Sequence, residues 1–306
     1  MYAGILPELL HLIRCPLDAG ELEFVQPPSA AAVRSGSLRC TACAQTFPIE
    51  HGIAVLLPPG TMHVEGAFEK TQRDHDAVET NLAWEDEPAS RSEMESTLTA
   101  LEPLRDTTVL ELGCGCGRYT HLFATARAIV AVDFSIESLR RLASRLSSDL
   151  PVILICGDIT CFKVAPGAFD RVFSTLTSNL PEAEHREQLY RLAGTALAAG
   201  GRFVSSAHYF GLRERWHREQ KSGHYAGSNI YRRCFGSQEL RAETLRFFGD
   251  VTCRRIVVLL PFISRLGLAM SGLARVAESI PAVNWFASLL LVTASKPRLP
   301  VQRSLS

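Results

Sequence analysis

The chain has 306 residues and a mass of 33.6 kDa, enough for one large domain with a small one or for two modest domains. Apolar residues make up 46% and charged residues 21%, so a sizeable core can be buried and general disorder is excluded. The 32 basic and 32 acidic side chains balance, which argues against a surface that follows a phosphate backbone throughout, although a local basic patch stays open.

The cysteine content and the N-terminal residues indicate the cellular compartment of the protein. Nine cysteines spread over a long chain differ from the dense, even framework of a small secreted domain. Pro7, Glu8 and His11 interrupt the stretch where a signal peptide would be apolar. We therefore expect a reduced, cytoplasmic protein.

Residues 1–60 are predicted to form a small β module that closes at Pro58-Pro59-Gly60. Two short turns carry metal-binding side chains: Cys15 and Asp18 in the first, Cys40 and Cys43 in the second. The spacing is that of a tetrahedral zinc site with an aspartate in one of the four positions, and a carboxylate oxygen can ligate zinc. The module therefore either binds Zn²⁺ through these four residues or is a metal-free ribbon with buried thiols.

From residue 107 onward, apolar strand-like runs alternate with amphipathic stretches of helix length. Residues 61–106 precede them as a linker with a helix over 90–101. Strands are predicted at 108–112, 129–133, 152–156, 171–175 and 202–207. Helices are predicted at 119–126, 136–147 and 182–198. Two more strands, at 251–260 and 286–293, complete a doubly wound, Rossmann-like, mostly parallel sheet of seven strands, class α/β, over residues 107–298.

The first of these strands ends in a glycine-rich turn. Gly113, Gly115 and Gly117 alternate where a strand passes into a helix, so the backbone can bend sharply and a ligand can approach without meeting a Cβ atom. A dinucleotide-binding fingerprint would need its third glycine at position 118, where this sequence has Arg118. By itself the turn is also compatible with a plain strand–helix connection.

Three carboxylates lie at or just after the ends of neighbouring strands. Glu111 stands just before the turn, Asp133 ends the second strand, and Asp158 follows the third. A carboxylate at the end of the second strand can accept hydrogen bonds from both hydroxyls of a ribose, and one after the third can accept from the exocyclic amine of a base. The carboxyl ends of parallel strands form the crevice where such sheets bind ligands.

Taken in order, these motifs resemble those of the class I S-adenosylmethionine-dependent methyltransferases, over roughly residues 93–297. The resemblance implies that the three glycines contact the methionine portion of the cofactor, Asp133 the ribose, and Asp158 with Ile159 the adenine. Further candidate cofactor contacts are Glu111, Cys114, Phe134 and Thr175. The N-terminal module resembles a small zinc-ribbon family that activates methyltransferases in trans, and the ribbon fused to bacterial 23S rRNA guanine-N1 methyltransferases.

The methyl acceptor is expected beyond the fourth and fifth strands. The fourth strand is not followed by the N-P-P-Y motif of many amino methyltransferases, so methylation at nitrogen through that motif is not supported. His208 is the candidate general base, because imidazole titrates near neutrality. Candidate substrate contacts are Asn179, Tyr209, Tyr225, Tyr231 and Arg232. An ordinary polar lid is the alternative for these residues.

A predicted amphipathic helix at 262–280 lies between the last two strands. Such an insert either closes over a hydrophobic acceptor or touches a membrane surface, or it packs on its own domain, the more common case. Pro261 and Arg265 argue against a membrane span. Residues 299–306 are a tail.

The sequence thus predicts a methyltransferase that uses S-adenosylmethionine, and Zn²⁺ if the module binds it. The neutral charge favours a small-molecule acceptor, methylated at oxygen or carbon. An rRNA or tRNA base methyltransferase is the first alternative, suggested by the fused ribbon, and it predicts salt-dependent binding to RNA. A non-catalytic cofactor-binding scaffold is the second.

Overall fold

The computed structural model describes residues 2–29, 31–58, 64–79, 87–177, 180, 182–224, 230–258, 280 and 283–298. A 3-10 helix at Pro7–Leu12 precedes five short strands: β1 Ile13–Arg14, β2 Leu22–Phe24, β3 Gly36–Cys40, β4 Thr46–Glu50 and β5 Ile53–Val55. Two helices follow: α1 Val64–Glu79 and α2 Pro88–Leu101.

The central part of the chain alternates between strands and helices. Its elements are β6 Thr108–Leu112, β7 Ala128–Asp133, α3 Ile136–Arg145, β8 Val152–Cys156, β9 Lys163–Val164, β10 Phe169–Thr175, α4 Ala183–Ala196 and β11 Leu197–Tyr209. The C-terminal part contains α5 Leu212–Trp216, β12 Ser222–His224, β13 Tyr231–Phe235, α6 Ser237–Leu245, β14 Phe248–Val258, a 3-10 turn at Val283–Phe286 and β15 Ala287–Pro297.

Seven strands form the predicted doubly wound sheet, in the order β8-β7-β6-β10-β11-β15-β14. The first five are mutually parallel, and β15 lies antiparallel to both β11 and β14. Every residue of β6, β7 and β8 is buried, as expected for strands covered on both faces. Leu110 and Val130 pack in one core with α4, whereas Val109 and Ile129 pack in another with α2 and α3. The α/β fold prediction is confirmed.

The N-terminal strands extend this sheet. β5 pairs in parallel with β8, and β4, β3 and β2 continue outward from β5 as antiparallel neighbours. β1 forms a separate pair with β9, after the carboxyl end of β8. The N-terminal strands and the central strands therefore share one hydrogen-bonded sheet, and the division into domains at residue 60 stays a prediction.

One predicted helix is wrong. Instead of a helix over 119–126, the chain forms a single 3-10 turn at Thr120–Leu122. The turn is held by contacts with neighbouring strands: Thr120 donates a hydrogen bond to Glu111, and the Phe123 ring packs edge-on against Phe173. The helices at 136–147 and 182–198 are confirmed but end earlier, at Arg145 and Ala196.

The later strands differ from prediction in length. β11 is longer than expected at both ends, β14 begins at Phe248 rather than at 251, and β15 continues to Pro297. Except for residue 280, the predicted helix at 262–280 lies outside the described residues, as does the tail 299–306.

A hairpin stands at the carboxyl end of β10. β10 pairs with β11 as far as Ser206, and beyond that point β13 pairs in parallel with β11 at His208 and Tyr209. β12 continues outward from β13. In the part of the chain that the structure describes, no helix combines the length and apolarity needed to cross a membrane.

Candidate active site

The glycine turn after β6 has one open side. Gly113, Gly115 and Gly117 all have positive φ, at 76°, 51° and 84°. A Cβ atom on Gly113 would lie 2.5 Å from Thr177 Oγ1, and one on Gly117 would lie 2.1 Å from Leu142 Cδ1, so both pack against their own fold. A Cβ atom on Gly115 would meet nothing within 4 Å. The middle glycine therefore presents bare backbone to open space, where a ligand can approach.

Asp133 lies directly beside this glycine. Its Oδ2 accepts a hydrogen bond from the Gly115 amide at 2.8 Å, and its Oδ1 accepts one from the Ser135 amide at 2.9 Å. The side chain is buried, and the loss of water around it raises its pKa, although the two amides lower it in part. Each carboxylate oxygen has a second acceptor site, so the group can still take hydrogen bonds from two hydroxyls.

Glu111 is buried under the glycine turn. Thr120 Oγ1 donates a hydrogen bond to its Oε2 at 2.7 Å, and the residue is 2% exposed. Burial, together with the nearby Asp133 charge, raises the pKa of Glu111 to about 8, so the group is mostly protonated at pH 7. Cys114 is a buried filler whose amide donates to the Val132 carbonyl.

The remaining predicted cofactor residues follow β7, β8 and β10. Asp158 Oδ1 accepts hydrogen bonds from Thr160 N at 2.8 Å and Thr160 Oγ1 at 2.7 Å, which shapes the turn after β8. Ile159 is buried beside it, and Phe134 and Thr175 are half-buried at the ends of β7 and β10. The predicted cofactor residues thus all lie at, or just after, the carboxyl ends of four adjacent strands.

A buried ion pair under this edge was not predicted. Arg118, which follows the glycine turn, donates to Glu93 of α2 at 2.6 Å, and the two side chains are only 11% and 5% exposed. Arg118 also donates to the Ser90 carbonyl, and Glu93 accepts from Ser206 of β11 at 3.1 Å. The pair joins α2, the glycine turn and β11. Glu93 is 25 residues from Arg118 and 113 residues from Ser206 in the sequence, so no local pattern could have indicated these contacts.

Helix α1 also approaches the site without any signal in the sequence. Asp74 accepts hydrogen bonds from Ser135 Oγ at 2.6 Å and from the Glu137 amide at 3.3 Å, and Arg141 donates to the Ala77 carbonyl. These contacts hold α1 against the start of α3, directly after Asp133.

On the acceptor side, the pKa of His208 differs from the expected one. Burial, together with the nearby Arg232 charge, lowers the pKa of His208 to about 4. The ring is therefore neutral at pH 7 and a weak base, contrary to the expected titration near neutrality. Tyr209 is buried with the Arg255 guanidinium 5.0 Å from its ring centre. Asn179 and Tyr225 lie outside the described residues.

Arg232 is already paired. It donates to Glu219 at 2.6 Å, so its charge is matched within the protein rather than free for an acidic substrate. Tyr231, one residue earlier, packs edge-on against His224 at 6.0 Å between ring centres. Both contacts are compatible with the polar-lid alternative, and substrate contact by Tyr231 and Arg232 stays a prediction.

The four candidate metal ligands come together in the N-terminal module. Their ligand atoms all lie within 4.8 Å of one another. Cys15 Sγ is 3.7 Å from Cys43 Sγ, and Cys40 Sγ is 3.3 Å from Asp18 Oδ1. Tetrahedral zinc with Zn–S bonds of about 2.3 Å would separate two sulfurs by about 3.8 Å, so the donor set fits this ion.

The two ligand turns have the same backbone hydrogen bonds. Cys15 N donates to Gly20 O and Ala19 N to Cys15 O, and the bonds repeat at the second turn between Cys40, Ala44 and Gln45. Ala19 and Ala44 both have positive φ, at 65° and 60°. Asp18 therefore occupies a turn built like the one that carries Cys43. The Gly20 amide lowers the pKa of Asp18 to about 2, which keeps it ionised.

Comparisons with known proteins agree with this geometry. Residues 109–201 match the family model described as a methyltransferase domain. Phosphoethanolamine N-methyltransferase 1 of Arabidopsis thaliana is 28% identical over 157 residues, which cover 49% of this chain and 31% of that protein. The chain thus spans about a third of the length of this curated relative.

Two solved structures show the same fold. Phosphoethanolamine N-methyltransferase 1 of Haemonchus contortus, bound to phosphoethanolamine and S-adenosylhomocysteine, has a TM-score of 0.55 at 18% identity, covering 80% of this chain and 52% of that one. The N-methyltransferase NodS of Bradyrhizobium japonicum, bound to S-adenosylhomocysteine, has a TM-score of 0.52 at 15% identity, covering 75% and 99%. Residues 109–201 therefore match a methyltransferase-domain model, and the chain shares the α/β fold of these two solved structures.

Proposed function

We propose that this chain, whose residues 109–201 match a methyltransferase domain, transfers a methyl group from S-adenosylmethionine to a small-molecule acceptor. The observation that carries the proposal is the arrangement of Asp133 and Gly115. A carboxylate lies next to a bare backbone segment that faces open space, at the carboxyl edge of a parallel sheet.

Each residue of this edge has a role in the proposal. The backbone of Gly113, Gly115 and Gly117 accommodates the methionine portion, and Asp133 accepts hydrogen bonds from the ribose hydroxyls. Asp158 and Ile159 hold the adenine in the turn after β8. S-adenosylmethionine, when bound, supplies a methyl group already activated by the positive sulfur. The protein therefore has chiefly to align the acceptor with that group.

The acceptor is proposed to bind at the ends of β10 and β11, below the β12–β13 hairpin. A neutral His208 can orient a hydroxyl or another hydrogen-bond donor, but at a pKa of about 4 it is too weak a base to deprotonate an alcohol. This favours acceptors that need little help to lose a proton. Oxygen or carbon remains the proposed site of methylation. Because two of the similar proteins are phosphoethanolamine N-methyltransferases, the acceptor panel also includes amines.

The cofactor assignment is tested by titration calorimetry with S-adenosylhomocysteine. Asp133→Ala is expected to weaken binding by about 1–3 kcal/mol, the scale of lost hydrogen bonds to a charged group. Asp170→Ala is the matched control, because Asp170 also accepts a backbone hydrogen bond, from Thr108, but at the amino end of β6. Equal affinity in the Asp133→Ala variant and the unmodified protein would contradict the proposed ribose site.

The reaction is tested with a labelled methyl donor against metabolites and RNA. Transfer to a small molecule supports the proposal. Transfer to RNA alone, with steep salt dependence, would support the rRNA or tRNA alternative. Cofactor binding without transfer to any acceptor would support the scaffold alternative.

We also infer that Cys15, Asp18, Cys40 and Cys43 bind one Zn²⁺ per chain. Metal content is measured on protein purified without chelators, alongside thermal unfolding before and after chelation. Cys43→Ser is expected to lose the ion and unfold at a lower temperature, whereas Asp18→Cys, which supplies the more usual fourth sulfur, is expected to retain it. A metal-free protein with unchanged unfolding after chelation would favour the metal-free ribbon.

A further inference from the structure

Large apolar side chains are exposed together next to the end of β11. We call Leu212, Trp216, Trp285 and Phe286 the aromatic patch. Trp216 is 86% exposed and Trp285 is 46% exposed. Helix α5, which contains the first two residues, packs against the 3-10 turn that contains the other two. Exposed apolar side chains grouped in this way mark interaction surfaces.

Positive charge lies beside the aromatic patch on the side of α5. Arg213, Arg215 and Arg218 are all exposed on or just after α5. The acids of the same segment are engaged elsewhere: Glu214 is buried and accepts from the Gly211 amide, and Glu219 pairs with Arg232. The local surface is therefore basic although the whole chain carries no formal net charge.

The aromatic patch adjoins the proposed acceptor side. Helix α5 begins three residues after Tyr209, the last residue of β11. The guanidinium of Arg255 contacts both the Tyr209 ring and the Trp285 ring, at 5.0 Å and 5.3 Å from their centres. Arg255 thus links the patch to the end of β11.

We propose that the aromatic patch and its three arginines bind the surface of an anionic phospholipid membrane. Tryptophan partitions to the boundary between water and lipid, and aliphatic or aromatic neighbours gain by leaving water there. Arginines beside them attract acidic headgroups. Single-stranded RNA would also use tryptophan and arginine, but the exposed aliphatic Leu212 and nearby Ile280 offer bases no stacking surface.

The test is co-sedimentation of the full chain with lipid vesicles, without cofactor or acceptor, so its outcome does not depend on the proposed methyl transfer. Vesicles of phosphatidylcholine alone are compared with vesicles in which about a third of the lipid is phosphatidylglycerol. We expect binding to the anionic vesicles, weakened by salt, and much weaker binding to phosphatidylcholine.

Two variants assign the binding to the patch. Trp216→Ser is expected to bind about tenfold more weakly, since one large aromatic side chain no longer leaves water. Arg213→Glu combined with Arg215→Glu is expected to lose at least as much, because each basic side chain near an anionic surface contributes roughly fivefold. Val25→Ser is the control, because Val25 is 46% exposed next to β2, at the other end of the sheet.

Several results would overturn the proposal. Absence of sedimentation with anionic vesicles would do so, as would a folded Trp216→Ser variant that binds like the unmodified protein. Equal binding to neutral vesicles would remove the role of the arginines. Salt-dependent binding to a single-stranded RNA, or self-association abolished by Trp216→Ser, with no binding to vesicles in either case, would assign the patch to that partner instead.

Discussion

The carboxyl group of Glu111 is buried away from water, and its contribution to the stability of the fold depends on pH. Its pKa is about 8 in the folded protein, against an ordinary value of 4.5, because burial disfavours the charged form. The folded state therefore binds a proton that the unfolded chain releases, and stability falls as the pH rises from about 4.5 to 8. Above the folded pKa the loss is complete.

We predict that Glu111→Gln removes this pH dependence. The amide cannot ionise and can still hydrogen bond to Thr120. The difference in free energy of unfolding between the variant and the unmodified protein should shift in favour of the variant as the pH rises. From pH 5 to pH 8.5 the shift should reach up to a few kcal/mol, since one pKa unit corresponds to about 1.4 kcal/mol. Urea unfolding at both pH values measures this. Glu137→Gln, at the partly exposed start of α3, is the control. Parallel pH curves for Glu111→Gln and the unmodified protein would contradict the prediction.

At the residue scale, local sequence patterns predicted which residues lie at the carboxyl edge of the sheet but not the pKa values of the titratable groups there. Gly115 and Asp133 could be placed because a glycine turn and a strand-ending carboxylate are visible in a few consecutive residues. The pKa values of Glu111 and His208 could not be predicted, because burial by residues distant in sequence sets them. A histidine in a sequence carries no sign of the environment that makes it a weak base.

Two glycines of the glycine turn are expected to differ in role, Gly117 in stability and Gly115 in ligand binding. Gly117→Ala is predicted to lower the free energy of unfolding by about 2–4 kcal/mol, because alanine is strained at positive φ and its Cβ would overlap Leu142. Gly115→Ala has the positive φ but no clash, so it should cost only about 1–2 kcal/mol of stability. It should nevertheless weaken S-adenosylhomocysteine binding by at least about tenfold, because its methyl group enters the space assigned to the ligand. Unchanged affinity in Gly115→Ala would refute the placement.

The Glu93–Arg118 pair is predicted to hold α2 on the glycine turn. Arg118→Met leaves the Glu93 charge buried without its partner and should cost about 3–5 kcal/mol. Adding Glu93→Gln should recover part of that loss, because no unpaired charge then remains. Arg140→Met, which breaks partly exposed pairs with Glu137 and Glu50, should cost less than about 1 kcal/mol. Unfolding free energies of the four proteins decide this, and equal costs for Arg118→Met and Arg140→Met would contradict it.

At the element scale, the prediction succeeded where periodicity alone decides the structure. The buried strands β6 and β8 have the predicted bounds because short apolar runs and turn residues define them. The expected helix over 119–126 failed because a side-chain bond from Thr120 to Glu111 and the packing of Phe123 outweigh local helix preference. Tertiary contacts of this kind leave no trace in the local pattern.

At the scale of the whole molecule, the continuity of the sheet could not be predicted. β5 has only three residues, and its partner β8 begins about a hundred positions later. A boundary at Pro58 suggested a separable module, whereas the pairing makes its last strand an inner strand of the sheet. Tyr2 reinforces the junction: its hydroxyl donates to the Gly52 carbonyl at 3.0 Å and accepts from the Leu154 amide at 3.3 Å.

Tyr2→Phe therefore tests whether the N-terminal strands and the central sheet unfold together. The variant leaves a buried carbonyl and a buried amide without this partner, so we expect a loss of about 1–3 kcal/mol. If the sheet is one cooperative unit, calorimetry should show a single transition shifted to lower temperature by a few degrees. Tyr231→Phe, on the hairpin beyond β11, is the control and should stay within about 0.5 kcal/mol of the unmodified protein. A separate early transition in Tyr2→Phe, with the main transition unmoved, would mean that the N-terminal strands unfold on their own despite the shared hydrogen bonds.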